Sequence, residues 1–198
     1  MTKLTRDDLW SLEVYAQRRN EFRTEAMAHK RLRQLLLGEH LRLFFEDRTT
    51  IRYQIQEMLR VEKLFEAQEI QDELDAYNPL IPDGANWKAT MMIEYTDVAE
   101  RRRRLAELVG VEQRVWLQVG DLDRITPIAD EDMERSTDDK TSSVHFLRFE
   151  LTPEMVGAAC AGAPISAGVD HPAYNIGPEE VNEELRKALV SDLKPVAH

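Results

Sequence analysis

The chain has one cysteine, Cys160, in 198 residues. A single thiol excludes an intramolecular disulfide, a thiolate zinc knuckle and a self-contained four-cysteine iron–sulfur cluster. Cys160 stands in the small-residue run Ala158–Gly162 with no cation nearby in sequence to activate it, so a buried, inert thiol is expected. Long apolar runs are also missing. None reaches the ~18 residues of a membrane helix, and Met1–Asp8 lacks the apolar core of a secretion signal. A cytoplasmic location without membrane association is the expectation.

Basic charge is short. Lys and Arg number 26 against 37 Asp and Glu, a net charge of −11, and that field repels phosphate backbones and anionic lipid. Nucleic acid is therefore not an expected partner. The run Arg101–Arg104 is a local exception, but four consecutive helical residues spread around more than one turn and read as a solvated flank. Common catalytic signatures are absent too: the phosphate loop, the dinucleotide-binding GxGxxG, the HExxH zinc helix and the GxSxG nucleophile elbow.

What is present is an ordinary globular composition, 42% hydrophobic and 32% charged. One domain over 1–198 is expected, with a subdivision into 1–84 and 85–198 at the loop Asn78–Gly84, where two prolines and a glycine suggest a hinge. The first part reads as helix, hairpin and long helix. Thr5 with Asp8 suggests a capping box opening the first helix. Leu35–Leu37 and Leu41–Phe45 flank Gly38-Glu39, which suits a type II′ hairpin turn. Thr49 to Tyr77 reads as one helix, with Ile51, Ile55, Met58, Val61 and Phe65 near one face.

The second part alternates. Strands are expected at Ala89–Tyr95, Val115–Val119, Ile125–Ile128, Val144–Leu151 and Ile165–Val169. Helices are expected from Asp97 to Gly110, from Thr152 to Gly162 and from Pro178 to Leu193. The class is α+β, a mixed, largely antiparallel sheet with helices on one face, and the order suggests a ferredoxin-like sandwich.

His145 is the most informative position. The two-residue period places it beside Leu147, Phe149 and Leu151 on the apolar face of its strand. It is either a core histidine satisfied by a carbonyl or carboxylate, or a ligand or proton carrier. Asp170-His171 follows a strand end, where sites gather. Glu25 and His29 stand at i and i+4 on the first helix. Two imidazoles and a carboxylate suit iron, manganese or zinc, so His145, Asp170, His171 and Glu57 are the candidate metal set. The acidic row Glu62, Glu66, Glu69 and Glu73 is a solvated face and a candidate docking surface for a basic partner.

Several strings carry a resemblance: Phe45-Glu46-Asp47-Arg48, Tyr53–Arg60, Glu73–Gly84, Ala89–Tyr95, Lys140–Phe149 and Val169–Tyr174. Together they resemble a bacterial family of about this length known as a domain of unknown function. The resemblance implies a place beside rubrerythrin-like proteins and heterodisulfide-reductase-like iron–sulfur subunits, and it brings no catalytic residues. The expected function is accordingly a non-catalytic accessory protein that binds such a redox partner. The alternative is a metal-dependent enzyme or metal-binding protein at the His/Asp/His set. The sequence leaves a homo-oligomer open, and a small-molecule cleft near Tyr77 and Trp87 is a third reading.

Overall fold

The computed structural model describes residues 2–133, 135–137 and 139–195. Ser11 caps α1 (Leu12–Arg31) by accepting from the Val14 N–H, while Thr5 and Asp8 close a separate 3-10 turn. The hairpin strands are β1 (Gln34–Leu37) and β2 (Leu41–Phe45), joined by three residues rather than two. Gly38 takes φ 65° in that turn, and a Cβ there would meet the Tyr174 hydroxyl at 2.6 Å. Asp47 then caps α2 (Arg48–Glu62), accepting from the N–H groups of Thr49 and Thr50.

The expected long helix is two helices. Lys63 adopts a left-handed φ of 60° and the Leu64 N–H returns to the Leu59 carbonyl, which ends α2 before α3 (Ala67–Tyr77) begins. The break lets Leu64, Ile70 and Leu74 turn inward onto Leu4, Ile51, Ile55 and Leu59. Val61 and Phe65, expected on the buried face, are instead 60% and 71% exposed. Burial of Leu64 and Leu74 outweighs helix continuity here. Nor is the Asn78–Gly84 loop an open hinge: Asn78 exchanges two hydrogen bonds with the Leu4 backbone, and Lys194 N–H donates to the Gly84 carbonyl.

The remaining strands are β3 (Asn86–Ile93), β4 (Val115–Val119), β5 (Ile128–Ala129), β6 (Val144–Glu150), β7 (Ile165–His171) and β8 (Tyr174–Glu180). The helices among them are α4 (Val98–Glu107), α5 (Pro153–Cys160) and α6 (Glu183–Ser191). The α+β class is as expected, but the strands divide into two sheets, β1-β2-β3-β6-β5 and β4-β7-β8, with antiparallel pairings. That order is not ferredoxin-like. Ile125 makes only a single bridge to Leu117, and Ile128–Ala129 joins β6 instead. β8 occupies residues expected in the last helix. Pro178 follows a cis bond in this edge strand, a position that needs no ladder N–H, and Asn182 caps α6.

The two sheets share one core. Leu43, Phe45, Trp87 and Met91 meet Val115, Leu117, Ala167 and Val169, with Val156, Leu185 and Leu189 from α5 and α6. Burying this much aliphatic and aromatic surface, at about 25 cal/mol per Å², is what orders the antiparallel strands. Alternation sends Lys88, Thr90, Phe146 and Arg148 to the opposite face, toward α2 and α3. The core is closed, and the chemistry is left to that outer face and to the sheet edge. Cys160, expected inside, is exposed at the end of α5; the buried neighbour is Ala159.

Candidate functional site

His145 lies on β6 beside Leu147 and Phe149, on the core face that its alternation implies, and has no exposed surface. Its Nδ1 is 2.6 Å from Asp130 Oδ2; its Nε2 is 2.8 Å from Thr141 Oγ1 and 3.1 Å from the Ser142 carbonyl oxygen. The cluster continues. Thr141 donates to Glu112 Oε2 at 3.3 Å, Ser136 donates to Glu112 Oε1 at 3.0 Å, and Arg135 reaches Asp130 at 3.4 Å. Asp130 is held at a left-handed φ of 52° immediately after β5. Its Oδ1 accepts the Phe146 N–H at 2.9 Å, so the backbone aims the carboxylate at the imidazole.

A carboxylate, an imidazole and a hydroxyl in series can activate an oxygen nucleophile. Access decides otherwise here. Thr141 is 1% exposed and His145 0%, so no substrate reaches the hydroxyl, and the charges are spent on one another. Burial without pairing would cost several kcal/mol per charge, and the network removes that cost while fixing Asp130, Ser136 and Thr141 against β6.

The other candidate ligands lie elsewhere. His171 ends β7 in the second sheet; its Nε2 is 3.1 Å from the Val109 carbonyl oxygen and its Nδ1 accepts the Ala173 N–H. Asp170 points the opposite way into solvent and pairs with Arg124 at 2.8 Å. Glu57, on α2, binds Arg19 at 2.8 Å, Tyr15 at 2.6 Å and Arg60 at 3.2 Å. The Arg19 guanidinium, with Tyr15 and Arg60, holds the Glu57 carboxyl down at about 2, against the opposing effect of burial. Thus the structure does not assemble His145, Asp170, His171 and Glu57. Among the described residues no group of three or more His, Cys, Asp or Glu side chains is placed to hold a metal ion. Adjacent strand residues diverge, and the two histidines belong to different sheets. His29, too, binds Asp47 at 2.6 Å rather than Glu25.

A second arrangement lies on the outer face. Against β3 and β6, α3 and the 3-10 turn Asn78–Leu80 leave a cleft of about 560 Å³. Met58, Ala76, Tyr77, Leu80 and Phe146 supply apolar walls; Lys88 and Arg148 rise from the strands. Burial lowers the Lys88 ammonium pKa and raises those of the Tyr77 hydroxyl and the Glu73 carboxyl, the last helped by Glu62 and Asp72 nearby. Trp87 is not part of it: the indole is fully buried and donates to the Leu189 carbonyl oxygen at 2.9 Å.

The comparisons with known proteins bear on what this geometry belongs to. The model of a family described as protein of unknown function (DUF3501) matches residues 3–193. The chain belongs to the DUF3501 family. A crystal structure from Burkholderia pseudomallei K96243, described as a novel protein of unknown function at 1.90 Å resolution, is 52% identical. It aligns over 98% of this chain and 100% of its own with a TM-score of 0.93. A comparison with curated proteins returns no match. Among the described residues, no helix of this DUF3501 chain is long and apolar enough to cross a membrane.

The acidic row of this DUF3501 protein is divided by the helix break. Glu62 ends α2, Glu66 precedes α3, and Glu69 and Glu73 lie within it. Glu69 accepts the N–H groups of Phe65 and Glu66 at 3.3 and 3.1 Å and so caps the helix. Between Lys63 and Lys88 the sequence holds no Lys or Arg, and among the described residues none of Glu62, Glu66, Glu69, Asp72, Glu73 and Asp75 has a cation partner. Sequence reasoning found this row but missed Asp130, Thr141, Glu112 and Lys88. A buried histidine implies a partner without saying which loop supplies it. For Lys88 the signal was present, since strand alternation already places it opposite Trp87 and Ala89.

Proposed function

We propose that this chain is a non-catalytic accessory protein that docks a basic partner on α3 and the α2–α3 junction. One observation carries the reading: carboxylates without cation partners adjoin two exposed apolar side chains, Val61 and Phe65. An apolar anchor within a charged surround is the composition of a protein interface, where the charges steer encounter and the anchor supplies affinity. Charges that serve only the fold, such as Glu57 and Asp130, are paired instead.

The partner class rests on the family resemblance: a rubrerythrin-like protein or an iron–sulfur oxidoreductase subunit, met in the cytoplasm. Peroxide handling or electron transfer would then be the partner's chemistry. The test is titration of this chain against a purified neighbouring iron–sulfur or rubrerythrin-like protein at low and raised salt. Expected is saturable binding that weakens as ionic strength shortens the screening length, and loss of binding in the triple variant Glu62→Lys, Glu66→Lys, Asp72→Lys. Salt-independent binding, or none at low salt, overturns the proposal.

A further inference from the structure

We propose that the cleft between α3 and the outer face of β3 and β6 binds a small organic monocarboxylate, its head group on Lys88 and its apolar body against Met58, Leu80 and Phe146. The site lies on the inward side of α3 and shares Glu73 and Asp75 with the acidic row, but the groups that hold the ligand, Lys88, Met58, Leu80 and Phe146, stand apart from the docking residues Val61, Glu62, Phe65, Glu66 and Asp72. Its volume, about 560 Å³, falls in the range of small-molecule sites.

The charge pattern selects the ligand. Two of the three cations that line the cleft are already neutralised: Arg148 by Glu131 and Glu150, Arg135 by Asp132 and Asp130. Lys88 is different. Its Nζ donates to the Pro79 carbonyl oxygen, and among the described residues it has no carboxylate partner. An ammonium half-buried beside Tyr77 and Leu80, with a carbonyl as its one direct hydrogen-bond partner among the described residues, can take an arriving anion. Burial lowers its pKa against the opposing fields of Asp83, Glu131 and Glu150, none of which is close enough to pair with it.

The anion should carry one charge. Glu73, Asp75, Glu131 and Asp132 also line the cleft, so a phosphate dianion would meet repulsion that a single lysine does not offset. The rest of the ligand should be apolar, because Met58, Ala76, Leu80 and Phe146 offer it contact and no hydrogen bonds. A medium-chain fatty acid or an arylalkanoate has this form.

Calorimetric titration of the full-length chain with octanoate, octanol, octylamine and octyl phosphate tests the assignment. One octanoate per chain is expected, bound at least about tenfold more tightly than octanol, the effect of one charge-assisted hydrogen bond. Lys88→Met should make octanoate and octanol bind alike. Ala76→Trp, which fills the cleft and leaves Lys88 in place, should abolish octanoate binding and serves also if Lys88→Met fails to fold. The proposal is overturned if octanol or octylamine equals octanoate on the wild type, or if octyl phosphate binds more tightly. It is equally overturned if Lys88→Met keeps the preference for octanoate, or if octanoate does not bind at millimolar concentration.

Discussion

Two regions of this chain use charge in opposite ways. Around the buried His145, Thr141 and Glu112, the side chains of Asp130 and Ser136 complete a network in which polar groups satisfy one another. On α3 and at its N-cap, Asp72, Asp75 and Glu66 stand in solvent with no cation partner among the described residues. The first region brings together the residue types associated with catalysis and gives them only structural partners. The second holds carboxylates with no imidazole or cation beside them among the described residues and leaves its charges available. Functional candidacy follows unsatisfied groups, not suggestive ones, because burying a charge requires pairing whereas exposing one costs little.

The largest test of that contrast is His145→Ala. It opens a cavity and takes one partner each from Asp130 and Thr141, which keep Arg135 and Glu112, and a loss of about 2–4 kcal/mol in urea unfolding is expected. An unchanged midpoint would mean that the cluster is not what holds Asp130 and Thr141 to β6, and the contrast would fail. Partner binding through α3 should survive in whatever fraction remains folded.

Two carboxyls sharpen the comparison through pH. Glu57 titrates at about 2 in the fold, below its ordinary 4.5. Its stabilisation is therefore complete above pH 4.5 and is lost as pH falls toward 2, an effect of about 2 kcal/mol after solvent screening. Glu57→Gln should remove that acid-side slope. Asp192 is the reverse: buried beside Arg33, it is pushed up to about 6 because burial outweighs the guanidinium. A raised carboxyl pKa means that the folded state binds the proton more tightly, so stability declines as pH rises from about 4 to 6. Asp192→Asn should flatten that segment of a pH–unfolding curve, and a slope unchanged by the substitution would reject the reading.

The smallest stability effects belong to the open region. Asp72→Asn with Asp75→Asn, or Phe65→Ser alone, should move the unfolding free energy by no more than about 0.5 kcal/mol, as surface changes do. Their effect should appear in partner affinity. A destabilisation of about 2 kcal/mol or more from Phe65→Ser would place that ring inside the fold and remove it from the interface.

How far the sequence could be read follows the same line. Alternation put His145 among Leu147 and Phe149, and Leu41, Leu43 and Phe45 on one strand face, because side chains two apart must share a face. It located the hairpin, α5 and the acidic row. It did not reveal the break at Lys63, since no Gly or Pro marks it and only the pull of Leu64 and Leu74 toward Leu4 and Ile51 makes it. Nor did it show β8, whose acidic residues before Glu183 read as a helix start until pairing with β7 is seen.

By itself, then, the sequence determined the α+β class, the acidic balance and the faces of β2 and β6, all consequences of local period and composition. Only the tertiary structure decided which residues meet. It sent His145 and His171 to different sheets, gave Asp130 to His145, and set Lys88 in a cleft against the Pro79 carbonyl, because such meetings depend on loop paths and helix packing that no local pattern encodes.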